Sequence, residues 1–118
     1  MDIDGIQAKL RIFASERDWE RYHTPKNLSM ALVVEATELL EIFQWMTVEE
    51  SIGIKDIPDL KQDVADEIAD ILNYTIRLSD LLDIDINKAV LNKMDKNSQK
   101  YPPRGSKTPR SKREIYHD

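Results

Sequence analysis

The sequence predicts an all-α protein built as a bundle of four main helices. Three observations carry that prediction. Apolar residues recur at helical spacing over four long stretches. Strict apolar–polar alternation with β-branched enrichment never persists, so no strand is expected. The stretches are separated by proline, glycine and capping residues rather than by long featureless loops.

The first helix is expected from about Asp4 to Asp18, with Ile3, Ile6, Leu10, Phe13 and Arg17 on one stripe and Asp4 as N-cap. A polar connector, residues 20–27, follows. Pro25 disfavours helix at Thr24, and Asn27 is placed to cap a second helix from about Leu28 to Met46. Thr47-Val48-Glu49-Glu50 has the capping-box pattern, so a short helical turn should begin there and end near Gly53. Pro58 suits a first helical turn and opens a third long helix that reaches about Leu82. The fourth runs from about Asp85 to Lys100, with Ile86, Ala89, Val90 and Met94 on one side. Beyond Tyr101, prolines and basic residues replace the helical pattern. The expected division is a domain over residues 1–102 and a basic tail over 103–118.

Composition narrows the function. A chain of 118 residues with a net charge of −5 has one modest core and lacks the basic footprint of a protein that binds nucleic-acid polymers. No apolar run approaches the roughly 20 residues that cross a bilayer, so no membrane partner is expected. The absence of cysteine excludes disulfides and thiolate zinc sites. The first residues lack signal-peptide character, and cytoplasmic residence is the expectation.

Two acidic pairs stand out, Glu35 with Glu38 and Glu67 with Asp70. Each is spaced i, i+3, so its members share a helix face. At roughly 100° per residue, Glu35 falls within the apolar arc of Leu28, Leu32, Ala36, Leu39, Ile42 and Phe43. Glu67 likewise falls among Leu60, Val64, Ile71, Tyr74, Leu78 and Leu82. Carboxylates are seldom buried without a partner, because an unpaired desolvated charge is very costly. One explanation is a buried ion pair. The second helix carries no basic residue in its span and the third only Lys61 and Arg77, so such a pair would need help from elsewhere. The other explanation is a hard cation, Mg²⁺ foremost, which favours carboxylates, water and phosphate oxygens. No histidine stands at i, i+3 or i, i+4 from these acids, unlike the di-iron pattern. Asp63 lies near the same face as Glu67. Around the acids stand Trp19, Tyr22 and His23 in or beside the connector, Trp45 at the end of the second helix, and Tyr74 one turn beyond Asp70. Such aromatics either line a core or rim, or stack on a planar base.

The run Phe13-Ala-Ser-Glu-Arg-Asp-Trp19-Glu-Arg-Tyr-His23-Thr-Pro-Lys-Asn27-Leu resembles the opening segment of the dCTP pyrophosphatases, members of the all-α MazG-like nucleoside triphosphate pyrophosphohydrolases. The resemblance continues through Glu35-Ala-Thr-Glu38 and Phe43-Gln-Trp45, then Asp66-Glu67-Ile-Ala-Asp70 to Tyr74, then Lys93-Met-Asp-Lys-Asn97-Ser-Gln-Lys100-Tyr101-Pro102. It implies a MazG-like bundle in which Glu35, Glu38, Glu67 and Asp70 hold Mg²⁺ against a nucleoside triphosphate. It implies Trp19, His23, Trp45 and Tyr74 as nucleoside contacts, with Lys93, Asn97, Lys100 and Tyr101 near the phosphates or pocket mouth. Leu10 stands where eukaryotic members similar to this chain carry histidine, which implies a pyrimidine preference broader than theirs, with dCTP favoured. Family members are homodimers or homotetramers. The expected reaction is hydrolysis of a (deoxy)nucleoside triphosphate, dCTP or a modified dCTP, to the monophosphate and pyrophosphate, with Glu38 or Asp63 as proton acceptor. Two rivals are the same fold acting on dUTP or a purine triphosphate, and a non-enzymatic helical module.

Overall fold

The computed structural model describes residues 1–105, so most of the expected basic tail, from residue 106 on, lies outside the described residues. The described chain is helical, with no strand: α1 (Ile3–Glu16), α2 (Pro25–Phe43), α3 (Val48–Gly53), a 3₁₀ turn (Ile54–Asp56), α4 (Pro58–Leu81) and α5 (Ile86–Lys100). It forms two compact units, Met1–Ile84 and one that begins at Asp85.

The helix starts follow local chemistry, with two corrections to the sequence expectations. Asp2, not Asp4, caps α1, its carboxylate accepting from Gly5 N–H at 2.9 Å. Thr24, not Asn27, caps α2. Pro25 holds Thr24 extended and takes the first helical position, where no N–H is needed. The Thr24 hydroxyl then accepts from Asn27 N–H at 3.2 Å, and the Asn27 amide instead donates to Tyr22 O at 2.9 Å. The capping box at α3 forms as expected, with Thr47 and Glu50 bonding reciprocally at 3.1 and 3.2 Å. Asp85 caps α5.

Two helix ends use the same device. α1 ends in a Schellman motif: Trp19 N–H reaches Ala14 O at 2.9 Å and Asp18 N–H reaches Ser15 O at 3.2 Å. Asp18 takes the left-handed conformation usually given to glycine, with φ 55°. α4 ends identically, with Ile84 N–H on Ser79 O at 2.9 Å, Asp83 N–H on Asp80 O at 3.3 Å, and Asp83 at φ 54°. The sharp exit from α1 fixes where Trp19 and His23 stand.

Packing in the first unit centres on α4, against which α2 makes the most extensive interface, followed by α1 and the 3₁₀ turn. On α2 the inward stripe is Leu28, Leu32, Glu35, Leu39 and Ile42, continued by Met46 just beyond the helix. On α4 it is Leu60, Val64, Glu67, Ile71, Tyr74 and Leu78. Both alternate steps of four and three, the spacing of a coiled-coil seam, and both carry glutamate in the third place. Among the described residues the buried core is small and centres on Ala14, Leu28, Ile54 and Ile76. α1 is tied to α4 by Arg11, whose Nε and Nη2 reach the two carboxylate oxygens of Asp80 at 2.7 and 2.5 Å. No described helix is long and apolar enough to cross a membrane.

Candidate functional site

The seam brings Glu35 and Glu67 to face each other from α2 and α4. Glu38, one turn along α2, joins them, so that one carboxylate oxygen from each of the three lies within 4.8 Å of the others. With all three ionised, Oε2 of Glu35 and Oε2 of Glu67 are buried without a hydrogen-bond partner. Among the described residues, no ion pair reaches either glutamate. The buried-ion-pair explanation therefore finds no basic partner here.

The electrostatics record the crowding. Glu35 is pushed up from 4.5 to about 7, first because its protonated form can donate a hydrogen bond to Glu67, then by burial, then by the charge of Glu38. For Glu67 the hydrogen bond from Glu35 pulls downward, but burial and the charges of Glu38 and Asp70 outweigh it and the net shift is upward. Two orphaned buried oxygens in a set of hard oxygen donors fit a divalent cation such as Mg²⁺. Asp70 lies outside the three-oxygen cluster, yet its charge raises both glutamates. Asp63 is exposed and is not part of the cluster.

Asp70 instead lines an adjoining cavity of about 380 Å³ between α1, the connector and α4, a volume suited to a small ligand. Trp19 and His23 enter it from the connector, and Tyr74 joins Asp70 from α4. Trp19 stands edge-on to Phe13, ring centroids 5.5 Å apart, and tilted against His23 at 6.0 Å. The Tyr74 hydroxyl is held above its ordinary range by burial first and then by Glu35, Asp70 and Glu38. Leu10 and Lys9 complete the α1 wall.

From the sequence alone, Arg77 is only a candidate partner for a buried ion pair. Here it is a wall of the cavity, 7% exposed. Its Nε donates to His23 Nδ1 at 3.3 Å and its Nη1 lies 3.6 Å from Asp80 Oδ2. Burial, then the Arg77 charge, lowers the His23 pKa. The Arg11 hydrogen bond foremost, against burial and with the charges of Arg11 and Arg77, holds the Asp80 carboxyl low. The available signal was spacing: Asp70, Asn73, Tyr74 and Arg77 recur at i, i+3, i+4 and i+7, and all four line the cavity.

Not every expected contact gathers there. Trp45 is 89% exposed and does not line the cavity. Lys93, Asn97 and Lys100 fall on one stripe of α5, and the Lys100 ammonium stands 5.4 Å from the ring centre of Tyr101.

The sequence model of the MazG-like family matches residues 30–112, well over half the chain. The chain belongs to the MazG-like family. Among its relatives, dCTP pyrophosphatase 1 of Homo sapiens is 42% identical over 101 residues, which is 86% of this chain and 58% of that protein. The Bos taurus protein of the same name is 44% identical over the same share. This MazG-like chain thus spans little more than half the length of the curated relatives it matches. A crystal structure of a pyrophosphatase from Archaeoglobus fulgidus superposes with a TM-score of 0.78 at 40% identity, covering 87% of this chain and 94% of that one.

Proposed function

We propose that this MazG-like protein is a Mg²⁺-dependent nucleoside triphosphate pyrophosphohydrolase, converting dCTP or a modified dCTP to the monophosphate and pyrophosphate. One observation carries the reading: two half-buried glutamates, each with one buried and orphaned oxygen and with no basic partner among the described residues, stand near an aromatic cavity lined by Asp70, whose charge acts on both. The names of the relatives, dCTP pyrophosphatase 1 and a pyrophosphatase, support it.

Glu35, Glu38, Glu67 and Asp70 would hold the cation. Bound there, Mg²⁺ would supply charge neutralisation for the phosphate oxygens and a more acidic water. Trp19 and Tyr74 give the nucleoside apolar faces, and His23 offers it a hydrogen bond. Water adds to the α-phosphorus, the bond to the bridging oxygen breaks, and pyrophosphate leaves. Of the two acids considered for accepting the water's proton, Glu38 belongs to the cluster and Asp63 does not, so we assign the role to Glu38. The α5 stripe supplies two ammonium groups and an amide, chemistry suited to phosphate oxygens. We take residues 1–102 as the functional domain and 103–118 as a basic tail. Trp45 we assign to a contact completed in a homodimer or homotetramer, since this protomer leaves it bare.

The deciding experiment is a panel of ribo- and deoxynucleoside triphosphates assayed with Mg²⁺ and with EDTA, pyrophosphate being resolved from phosphate. Metal-dependent pyrophosphate release, fastest from dCTP, is expected. Full activity in EDTA, stepwise loss of single phosphates, or faster turnover of purine triphosphates would each overturn the corresponding part. No turnover of any nucleotide would favour the non-enzymatic module.

A further inference from the structure

Arg77 is a buried arginine of α4 that lines the cavity together with His23. Its guanidinium divides its attention. Nη1 turns toward Asp80, 3.6 Å away, and Asp80 is itself clamped by the fork of Arg11. Nε donates to the imidazole of His23. A guanidinium has only donors and stays protonated under all ordinary conditions. The ring nitrogen it faces must therefore be bare. A neutral imidazole with a bare Nδ1 carries its proton on Nε2. Protonating the ring would set an N–H against an N–H and add a second positive charge beside the first, in a half-buried setting.

We propose that Arg77 is a positioning residue that holds His23 as a neutral Nε2–H donor, so that the cavity takes a nucleobase presenting a hydrogen-bond acceptor, a carbonyl oxygen or bare ring nitrogen, to that ring. The lowered His23 pKa, with burial and the Arg77 charge as its causes, agrees with the neutral ring. The anchoring chain runs Arg11–Asp80–Arg77–His23 and crosses from α1 to α4 to the connector. Its far end, Arg11, is exposed, while the end that touches His23 is closed to water. Fixing one tautomer matters because a buried donor facing a donor leaves both unpaired, which is how polar sites reject the wrong partner. The selectivity half of the proposal rests on the nucleotide reading above, whereas the tautomer half does not.

The test separates the two. The full chain, ¹⁵N-labelled at histidine, has two imidazoles, His23 and His117, and a His23→Gln sample assigns their resonances. At pH 7 His23 should be neutral with its proton on Nε2. A proton on Nδ1, or a charged ring, overturns the proposal without any variant at Arg77. In Arg77→Leu the ring should titrate at higher pH and populate both tautomers, and an unchanged spectrum overturns the link. Kinetically, Arg77→Leu should raise KM for dCTP about tenfold with kcat changed less than threefold. In a His23→Gln background, whose amide can donate without help from Arg77, the same substitution should add nothing to KM. A full tenfold effect there would show that Arg77 acts by another route. If no nucleotide is hydrolysed at all, the functional reading fails, while the spectra still decide whether Arg77 sets the tautomer.

Discussion

At Glu35 the surroundings oppose ionisation from every side: Glu67 across the seam foremost, then burial, then Glu38 on its own helix. A carboxyl raised from 4.5 to about 7 binds its proton more tightly folded than unfolded. The linked stability is fully present below about pH 4.5 and is lost as pH rises through 7, and the upward shift of Glu67 acts in the same sense. Metal-free protein should therefore melt at progressively lower temperature between pH 5 and 8. Saturating Mg²⁺ should reverse the trend, because the cation competes with the proton for the same oxygens. A metal-free melting temperature that rises with pH would refute this reading. Glu67→Gln keeps the shape and removes one charge. It should lower hydrolysis by about 10²-fold or more while leaving metal-free stability equal or higher. An inactive and strongly destabilised variant would point to a structural pair instead. These acids were legible in the sequence because a charge in an apolar arc is an anomaly at one position. Arg77 was not, since its meaning lies in its distance to His23, 54 residues away, which helical periodicity does not encode.

At the scale of the element, expectations failed by one to three residues at the ends and held in the middle. Periodicity reports which face is buried, and that is decided by many side chains at once. A cap is decided by one hydrogen bond, and Asp2 against Asp4, or Thr24 against Asn27, are competing acceptors of similar chemistry. The ends of α1 and α4 were harder still, because each places an aspartate where glycine is usual. The left-handed conformation costs a non-glycine residue about 1–2 kcal/mol, somewhat less for aspartate. Asp83 also puts a negative charge at the negative end of the α4 dipole, an unfavourable interaction of about 0.3–1 kcal/mol. Glycine would relieve both and return about 0.4–1 kcal/mol through the freer unfolded chain. Asp83→Gly should thus be neutral to stabilising by under about 1 kcal/mol, and Asp83→Val should destabilise, since a β-branched residue is least tolerated at positive φ. Equal denaturation midpoints for the glycine and valine variants would mean that the conformation costs nothing there.

For the whole molecule the imbalance is between core and surface. Among the described residues the buried core is small, centred on Ala14, Leu28, Ile54 and Ile76, while α2 leaves Met30, Val33, Val34 and Leu40 exposed along one stripe and Trp45 bare beyond its end. Those residues recur at i, i+3, i+4 and i+10, so they form a second face opposite the seam to α4 rather than scattered apolar points. A helix apolar on two faces suits burial between two neighbours, and α4 covers only one of them. The sequence carried the amphipathic pattern but not this division, because periodicity does not say which of two stripes meets the chain's own helices. A second copy of the same chain is the economical cover, since an isologous contact presents the same stripe from both sides. Stability should then depend on protein concentration, with the melting temperature rising several degrees per hundredfold increase. Val33→Glu, a charge placed at the middle of the stripe and away from the carboxylate cluster, should shift the mass measured in solution to the monomer and lower the melting temperature. It should also raise KM for nucleotide if Trp45 is completed by the partner. A Val33→Glu protein that keeps its mass and its concentration dependence would place the subunit contact on another face, and Trp45 would then need a different explanation.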